Sequence, residues 1–247
     1  MTSLHGRTIL IIGATGGIGA AFTEQCANEG AQLSLFSRNP EKLSGLRERF
    51  PGAITTEGDA LSFPDLQRAV TETVSAFGRI DVLVHAVGSI LLRPLHQTSE
   101  EQFRQTLDMN LTSPFLAMKA VLPDMLSRND GAIILCSSVA GGTGLRNHEA
   151  VSAAKGGLEA MVRSAAMTYA RQNIRINAVA FGLVDTPLAA SITRNETARA
   201  ASAAMHPAGR IGTPQDVTAA LRYFASPESA WTTGQILHVD GGMSAGK

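Results

Sequence analysis

The chain contains few cysteines, few aromatic residues and no excess charge of either sign, and each shortage excludes a class of protein. Its two cysteines, Cys26 and Cys136, lie far apart and match no metal-ligand spacing. This usage is typical of a reduced intracellular protein rather than a disulfide scaffold. The 21 basic and 21 acidic residues give a formal net charge of zero, and aromatic residues make up 5%. Without a basic surface or aromatic stacking platforms, neither nucleic acid nor an anionic membrane is expected as a partner.

Long apolar runs are also missing. No stretch approaches the ~20 residues that a membrane span needs, and the opening segment Met1–Gly6 is short and polar, unlike a signal peptide. We therefore expect a soluble cytoplasmic protein. Charged residues make up 17% and hydrophobic residues 44%, whereas an average domain is about 25% charged. We therefore also expect partner subunits to cover part of the surface.

What the chain does contain is a regular alternation of short apolar runs and helical patterns. Strands are predicted at Thr8–Ile12, Gln32–Ser37, Ala53–Glu57, Asp81–Ala86, Ala132–Ser137, Ile174–Val179 and Gln235–Val239. Helices are predicted at Ile18–Asn28, Pro40–Phe50, Pro64–Phe77, Ser99–Met125, Val151–Arg171 and Pro214–Ala225. Several strands are apolar on both faces, which is typical of a parallel sheet covered on both sides. The sequence therefore predicts one α/β domain over residues 1–247, with a doubly wound sheet of about seven strands.

Two boundaries carry clear helix-start signals, and one long segment fits neither helix nor strand. Ser99 opens a capping box, and Thr213 stands as an N-cap before Pro214. The segment 186–212 is alanine-rich and polar and interrupts the alternation. We expect this lid segment to be mobile and to cover a site.

The first predicted strand runs directly into a glycine-rich loop that opens a helix. Glycines there let the backbone approach a pyrophosphate, whose charge the helix N-terminus stabilises. The spacing differs from the G-x-G-x-x-G fingerprint, and an ordinary tight turn is the alternative. The position of the glycine-rich loop after the first apolar strand favours nucleotide binding. The residues assigned to cofactor binding are Gly13, Thr15, Gly16, Gly17, Ile18 and Gly19.

The ends of the second and third strands bear on which nucleotide is bound. The second ends in Ser37 and Arg38 and carries no acid for the ribose hydroxyls of NAD. An arginine there accommodates the 2′-phosphate of NADP, so NADP(H) is preferred and NAD(H) is the alternative cofactor. The other interpretation of Arg38 is a solvated charge at the entry of the helix. After the third strand, Asp59 and Ala60 are assigned to the adenine side, although Asp59 also fits a loop or cap residue.

These features together resemble the short-chain dehydrogenase/reductase family over nearly the whole chain. The further matches are Gly88 of the Asn-Asn-Ala-Gly motif, Asn110 of the long fourth helix, Ser138 at the end of the fifth strand, Lys155 of Tyr-x-x-x-Lys, the segment Asn177–Gly182, Thr186 and the tail Gly234–Gly242. The resemblance implies a Rossmann-type fold and hydride transfer between a nicotinamide and a carbonyl carbon. It also implies cofactor contacts from Gly88, Lys155, Gly182, Val184 and Thr186, the last to the carboxamide. Such proteins are commonly homo-oligomers, so a tetramer or dimer is expected, with a hetero-oligomer as the alternative.

The chain departs from the family pattern at the position of the family's catalytic tyrosine. Four residues before Lys155, where the family has tyrosine, this sequence has Val151. In the family the tyrosine protonates the alkoxide, the serine positions the carbonyl oxygen, the lysine lowers the tyrosine pKa and holds the ribose, and the asparagine supports a water relay. The resemblance therefore retains catalytic roles for Ser138, Lys155 and Asn110. Valine, whether natural or engineered here, cannot exchange a proton.

Two replacements for the tyrosine are open. His148 lies three positions before Val151, and histidine exchanges protons near neutral pH; a solvated or capping histidine is the alternative. The second replacement is a water bonded to Ser138 and Lys155. No cluster of His, Cys or Asp indicates a metal.

Three functions therefore remain for the chain. The first is an NADP(H)-dependent oxidoreductase acting on a small-molecule ketone or secondary alcohol by an altered proton route. Apolar residues of the lid region, among them Leu183 and Ile192, favour a partly apolar substrate. The second is a catalytically silent subunit of a hetero-oligomer, and the third is a cofactor sensor.

Overall fold

Seven parallel strands lie side by side in the computed structural model, which describes residues 4–246. The strands are β1 Thr8–Ile12, β2 Gln32–Ser37, β3 Ile54–Glu57, β4 Val82–His85, β5 Gly131–Ser138, β6 Ile174–Phe181 and β7 Ile236–Val239. Their order across the sheet is β3-β2-β1-β4-β5-β6-β7. The order reverses between β1 and β4, and a doubly wound sheet opens its crevice at such a point.

Helices cover both faces of the sheet. They are α1 Gly17–Asn28, α2 Pro40–Arg49, α3 Phe63–Phe77, α4 Glu100–Leu107, α5 Ser113–Arg128, α6 Glu149–Tyr169, α7 Ala190–Thr193, α8 Glu196–Ala204 and α9 Pro214–Ala225. Ile9 and Ile11 of β1 pack with α1 and α9, whereas Leu10 and Ile12 pack with α3, α5 and α6. Alternate residues of one strand thus enter two separate cores. This explains why β1 is continuously apolar.

The predicted fold class is confirmed, and most predicted boundaries agree with the structure within two residues. The bounds of β1, β2 and α9 are those expected. The predicted capping box is present, with Ser99 and Gln102 exchanging bonds, and the predicted N-cap Thr213 also forms a capping box with Asp216. Within residues 4–246, no helix is both long and apolar enough to cross a membrane.

The prediction of one helix over Ser99–Met125 is wrong. The chain instead forms α4, a π-helical turn at Asp108–Thr112 and then α5. Ser113 N–H donates to the Asp108 carbonyl five residues earlier, and Pro114 has no N–H to donate to Asn110. The turn holds one residue more than an α-helical turn, and Asn110 lies in this widened segment. Such bulges are frequent at functional sites.

The lid segment, expected to lack regular structure, contains α7 and α8. Its base is closed by two backbone bonds, from Asp185 N to Gly212 O at 2.9 Å and from Gly212 N to Leu183 O at 2.8 Å. The segment is therefore a helical excursion whose two ends meet beside β6. Its mobility stays a prediction.

Two glycines provide a matched test of how tightly the first loop packs. A Cβ on Gly19 would lie 2.2 Å from the Gly13 carbonyl oxygen, whereas a Cβ on Gly45 of α2 meets nothing within 4 Å. We expect Gly19→Ala to lower the free energy of unfolding by about 1–3 kcal/mol. Gly45→Ala should raise it by about 0.5–1 kcal/mol. Urea denaturation measures both, and equal effects would contradict the close packing.

Candidate active site

A cleft of about 1370 Å³ lies at the carboxyl ends of the strands. Its walls come from the residues that follow β1 to β4, from the ends of β5 and β6, from the start of α6 and from the lid segment. Because parallel strands end at one edge, side chains far apart in sequence meet here. Every residue assigned to the site from the sequence lines this cleft except Gly19.

The glycine loop forms the floor of one end. Gly13 has φ +90°, a left-handed conformation that glycine adopts readily, and its carbonyl accepts from Gly16 N at 3.0 Å. Gly16 caps α1 with no side-chain hydrogen bond, so the first helical amides are free for an anion. Gly19 is buried behind the loop against the Gly13 carbonyl. It therefore positions the loop without lining the cleft.

The lid segment begins directly over this loop. A Cβ on Gly17 would lie 2.7 Å from the Thr186 Cγ2 atom, so only glycine fits beneath the threonine. The Thr186 hydroxyl is 3.4 Å from both the Val184 carbonyl and the Ala189 amide. Thr186 and Val184 line the cleft together with Gly182.

The residues after β2 and β3 form the outer end. Thr15 Oγ1 and Ser37 Oγ are 2.5 Å apart, which links the glycine loop to β2. Arg38 is exposed, lines the cleft and has no carboxylate partner within the described chain. Asp59 accepts from Leu61 N at 2.9 Å, so its carboxylate holds its own loop while lining the cleft. Buried Ala60 lies beside it.

Lys155 lies at the centre of the site and is 6% exposed. Its Nζ donates to the Cys136 carbonyl at 2.8 Å, joining α6 to β5. Burial lowers the pKa of the Lys155 ammonium to about 8. Burial also raises the pKa of the Cys136 thiol to about 12, so the thiol stays protonated.

Asn110 reaches the same point from the π-helical turn. Its Nδ2 donates to Ser89 Oγ at 2.9 Å and to the Thr106 carbonyl at 3.0 Å, and its Oδ1 accepts from Ser89 N at 3.1 Å. A Cβ on Gly88 would lie 3.0 Å from Asn110 Oδ1 and 3.8 Å from Lys155 Nζ. Gly88 therefore leaves room beside both polar groups.

Ser138 ends β5 and also lines the cleft. Its Oγ accepts from Ala140 N at 3.2 Å, which leaves the hydroxyl proton free to bond a carbonyl oxygen. Ser138, Lys155 and Asn110 thus occupy one cleft with the glycine loop. The structure thus brings together the residues to which the resemblance assigns catalysis, and their roles stay a prediction.

Comparisons with known proteins agree with this geometry. A family model described as enoyl-(acyl carrier protein) reductase matches residues 13–244. Cis-4-hydroxycyclohexanecarboxylate dehydrogenase of Sinomonas cyclohexanicum is 35% identical over 243 residues, or 97% of each chain. The 3-oxoacyl-[acyl-carrier-protein] reductase FabG of Vibrio cholerae is 34% identical over 244 residues, or 98% of each chain. The chain belongs to the short-chain dehydrogenase/reductase family.

Solved structures support the same assignment. ElxO with NADP bound superimposes with a TM-score of 0.92 at 26% identity, covering 98% of this chain and 100% of ElxO. A tyrosine-to-phenylalanine variant of ElxO with NADPH bound superimposes equally well, with a TM-score of 0.92. The prediction of a short-chain dehydrogenase/reductase-type oxidoreductase is confirmed.

Val151, which the resemblance places at the tyrosine position, lies inside the cleft. Val151 is 5% exposed in the first turns of α6 and lines the cleft one helical turn before Lys155. The two tyrosines of the chain, Tyr169 and Tyr223, do not line the cleft. No tyrosine therefore lines the cleft within residues 4–246.

His148 is the N-cap of α6 and does not belong to its first turn. It is half-buried and lines the cleft, and its Nδ1 is 2.7 Å from the Arg146 carbonyl. With Nδ1 donating to that carbonyl, Nε2 is the nitrogen available to a ligand. The structure therefore brings His148 to the same cleft as Ser138 and Lys155.

Sequence reasoning missed several residues that line the cleft, because loops without a motif supply them. The polar and flexible members of this set are Ser89, Thr143, Arg146, Met205, His206 and Met243. Buried His206 accepts from Leu183 N at 3.2 Å through Nε2, while its Nδ1 is 2.7 Å from the Ser202 carbonyl. His206 thus holds the end of the lid segment against the end of β6.

Proposed function

We propose that this chain is an NADP(H)-dependent enzyme that interconverts a ketone and a secondary alcohol, with a proton route that does not use tyrosine. The observation that carries the proposal is the shared cleft of Ser138, Lys155 and Asn110 with the glycine loop, while Val151 occupies the tyrosine position. When bound, the nicotinamide cofactor supplies or accepts the hydride. The protein supplies binding, orientation and the proton.

The residues present fit a nucleotide with a 2′-phosphate. Gly17 and Gly88 lie where a Cβ would collide with Thr186 or crowd Asn110, so the backbone leaves a cradle there. The amides of the α1 N-terminus have no side-chain cap and suit a pyrophosphate. Arg38 is free of carboxylates and suits a second anion. The NADP-bound structure of ElxO supports this choice over NAD(H).

The polar side chains then have separate tasks. The Ser138 hydroxyl donates to the carbonyl oxygen and orients it, and Lys155 holds the ribose side while Asn110 fixes the 88–89 backbone. A positioned donor at a developing oxyanion contributes on the order of 10²–10³ in rate. Ser138, Lys155 and Asn110 keep these roles when no tyrosine hydroxyl is present.

The proton most directly available comes from Lys155. Its ammonium is buried one turn beyond Val151, and burial lowers its pKa to about 8, which makes it a stronger acid than an exposed lysine. A water between Lys155 and Ser138 carries the proton to the alkoxide in this route. His148 is the other group in reach of the cleft. The phenylalanine variant of ElxO has NADPH bound, which supports a cofactor site that does not need the tyrosine hydroxyl.

We further propose that the protein is a cytoplasmic homo-oligomer. Met167 near the end of α6 is 83% exposed, Trp231 before β7 is 101% exposed, and Leu237 of β7 is 38% exposed. Such large exposed apolar side chains beside an edge strand are typical of a covered interface. The two cysteines are buried and free, which agrees with a reducing compartment.

Arg38 decides the cofactor in this proposal. We expect Arg38→Gln to weaken NADPH binding about ten- to hundredfold, because a charge-assisted contact to phosphate is lost. NADH binding should change less than threefold. Calorimetric titration of both nucleotides measures this difference, with Lys42→Gln as the control because Lys42 is a nearby cation outside the cleft. An equal loss for NADPH and NADH would contradict the assignment.

Turnover tests the reaction and its proton route together. We expect NADPH oxidation with a panel of ketones that includes 4-oxocyclohexanecarboxylate, the ketone related to the alcohol of the Sinomonas relative. Ketone reduction should slow as pH rises through about 8, because Lys155 is protonated and able to donate only below its pKa. Absorbance of NADPH across pH measures this profile at saturating cofactor.

Two variants and two further measurements separate the possible outcomes of that assay. Loss of about 10²–10⁴ in rate on His148→Ala would assign the proton to the histidine instead. NADPH binding without turnover, with activity gained only after adding another subunit, would indicate a silent subunit. NADPH-dependent protection of residues 186–212 from protease without any turnover would indicate a sensor. A Val151→Tyr variant then shows whether the remaining site supports chemistry.

The single tryptophan reports on assembly. We expect Trp231, fully exposed in one subunit, to emit at shorter wavelength as protein concentration rises, because association removes the indole from water. Light scattering should show the mass change over the same concentration range. Trp231→Ala should weaken association by about tenfold or more. If the protein associates while Trp231 keeps a long-wavelength emission at every concentration, the interface lies elsewhere.

A further inference from the structure

The part of the cleft formed by the segments that follow β4 to β7, here called the substrate half, carries apolar side chains from four separate segments. They come from the loop after β4, the loop between β5 and α6, the lid segment and the C-terminal tail. The residues involved are Leu92, Leu145, Leu188, Ile192, Met205 and Met243. This half therefore suits a substrate whose body is apolar.

The charges on the cleft wall are distributed unevenly. Among the described lining residues, Arg38 and Asp59 are the charged ones at the nucleotide end, and Arg146 and Lys155 are the charged ones in the substrate half. No carboxylate of the described chain lines the substrate half. Low-dielectric walls carrying charge of one sign attract a ligand of the opposite sign.

Arg146 is the cation in this half without a protein partner. Lys155 is buried and donates to a carbonyl, whereas Arg146 is exposed and pairs with no carboxylate of the described residues. Its backbone is fixed on the C-terminal side, because the Asn147 carbonyl accepts from Arg93 N at 2.8 Å. The Arg146 carbonyl also bonds His148 Nδ1 at 2.7 Å. A held backbone limits the positions that the unpaired guanidinium can reach, and the planar guanidinium binds an anion through paired N–H donors.

We infer that the substrate carries an oxyanion, such as a carboxylate or a sulfonate, separated from its reacting carbonyl by an apolar body, and that Arg146 binds this oxyanion. The inference rests on the proposed function, because Ser138 and Lys155 define where the carbonyl lies. The guanidinium presents parallel N–H donors that match two oxygens of one such group. The apolar residues between Arg146 and the lid segment contact the body of the substrate.

Pairs of keto acids and their methyl esters test the inference. The acids carry the carbonyl and the carboxylate two to six methylenes apart, and each ester differs only in lacking the charge. We expect the wild-type protein to prefer the acid, with kcat/KM about ten- to hundredfold higher than for the ester. The preferred spacing then gives the distance from the carbonyl to Arg146.

Substitutions assign that preference to one side chain. Arg146→Gln should lower kcat/KM for the acid about ten- to hundredfold more than for the ester, because a bound anion both holds the substrate and orients its carbonyl. Arg146→Lys should restore part of the preference. Arg93→Gln is the matched control, since Arg93 is an exposed cation in the facing loop that does not line the cleft. An acid preference that survives Arg146→Gln, or falls equally in both variants, overturns the inference.

A binding measurement keeps this test independent of turnover. NADP⁺-loaded protein cannot reduce the ketone, so calorimetry measures keto-acid affinity directly. Affinity that depends on Arg146 without any NADPH oxidation would support the anion site and overturn the oxidoreductase proposal. Equal turnover of acid and ester would support the oxidoreductase and overturn the anion site. Failure of the keto acids to bind at all overturns the anion site as well.

Discussion

The buried ammonium of Lys155 is the interaction on which the rest of the cleft depends. Removing a charge from water costs several kcal/mol unless polar groups compensate, and here the Cys136 carbonyl and nearby Glu159 favour the charged form. Glu159 is itself held by Ser137 Oγ at 2.8 Å. Burial, with the charge of Lys155, lowers the pKa of His85 to about 3, so His85 stays neutral beside Ser113. Among the buried groups Lys155, His85 and Cys136, Lys155 has the pKa nearest to neutral pH.

The central strands could be predicted because both of their faces are buried. Alternate residues of β1 enter opposite cores, so its apolar run is unbroken and its bounds are visible in the sequence. The π-helical turn could not be predicted, since the helical periodicity continues through Asp108–Thr112 and only the backbone bond from Ser113 N to the Asp108 carbonyl shows the widening. In the lid segment, the short helices α7 and α8 depend on local caps such as Asn195. The alanine-rich composition alone did not define them.

For the site, sequence spacing identifies residues that follow strands, because the ends of parallel strands must meet. Ser138 and the glycine loop are of this kind. Arg146 and His206 were missed because they lie on long connections whose path over the cleft has no local signal. Gly19 was assigned to cofactor contact from the same run as Gly13, yet its backbone packing places it behind the loop. Proximity in a motif does not distinguish a residue that touches a ligand from one that positions its neighbours.

The proposed loss of the tyrosine at position 151 affects proton delivery and leaves the other hydrogen bonds of the site in place. Val151 is buried in an apolar-walled cleft, and neither the Lys155–Cys136 bond nor the Asn110–Ser89 bonds involve it. What a phenol adds beside these groups is a proton and a second donor that orients the carbonyl. Orientation can also be supplied from a distant part of the substrate, because binding energy at a non-reacting group fixes the reacting one. An anion held at Arg146 would therefore compensate for the lost donor. The proton alone would then have to come from Lys155 or His148.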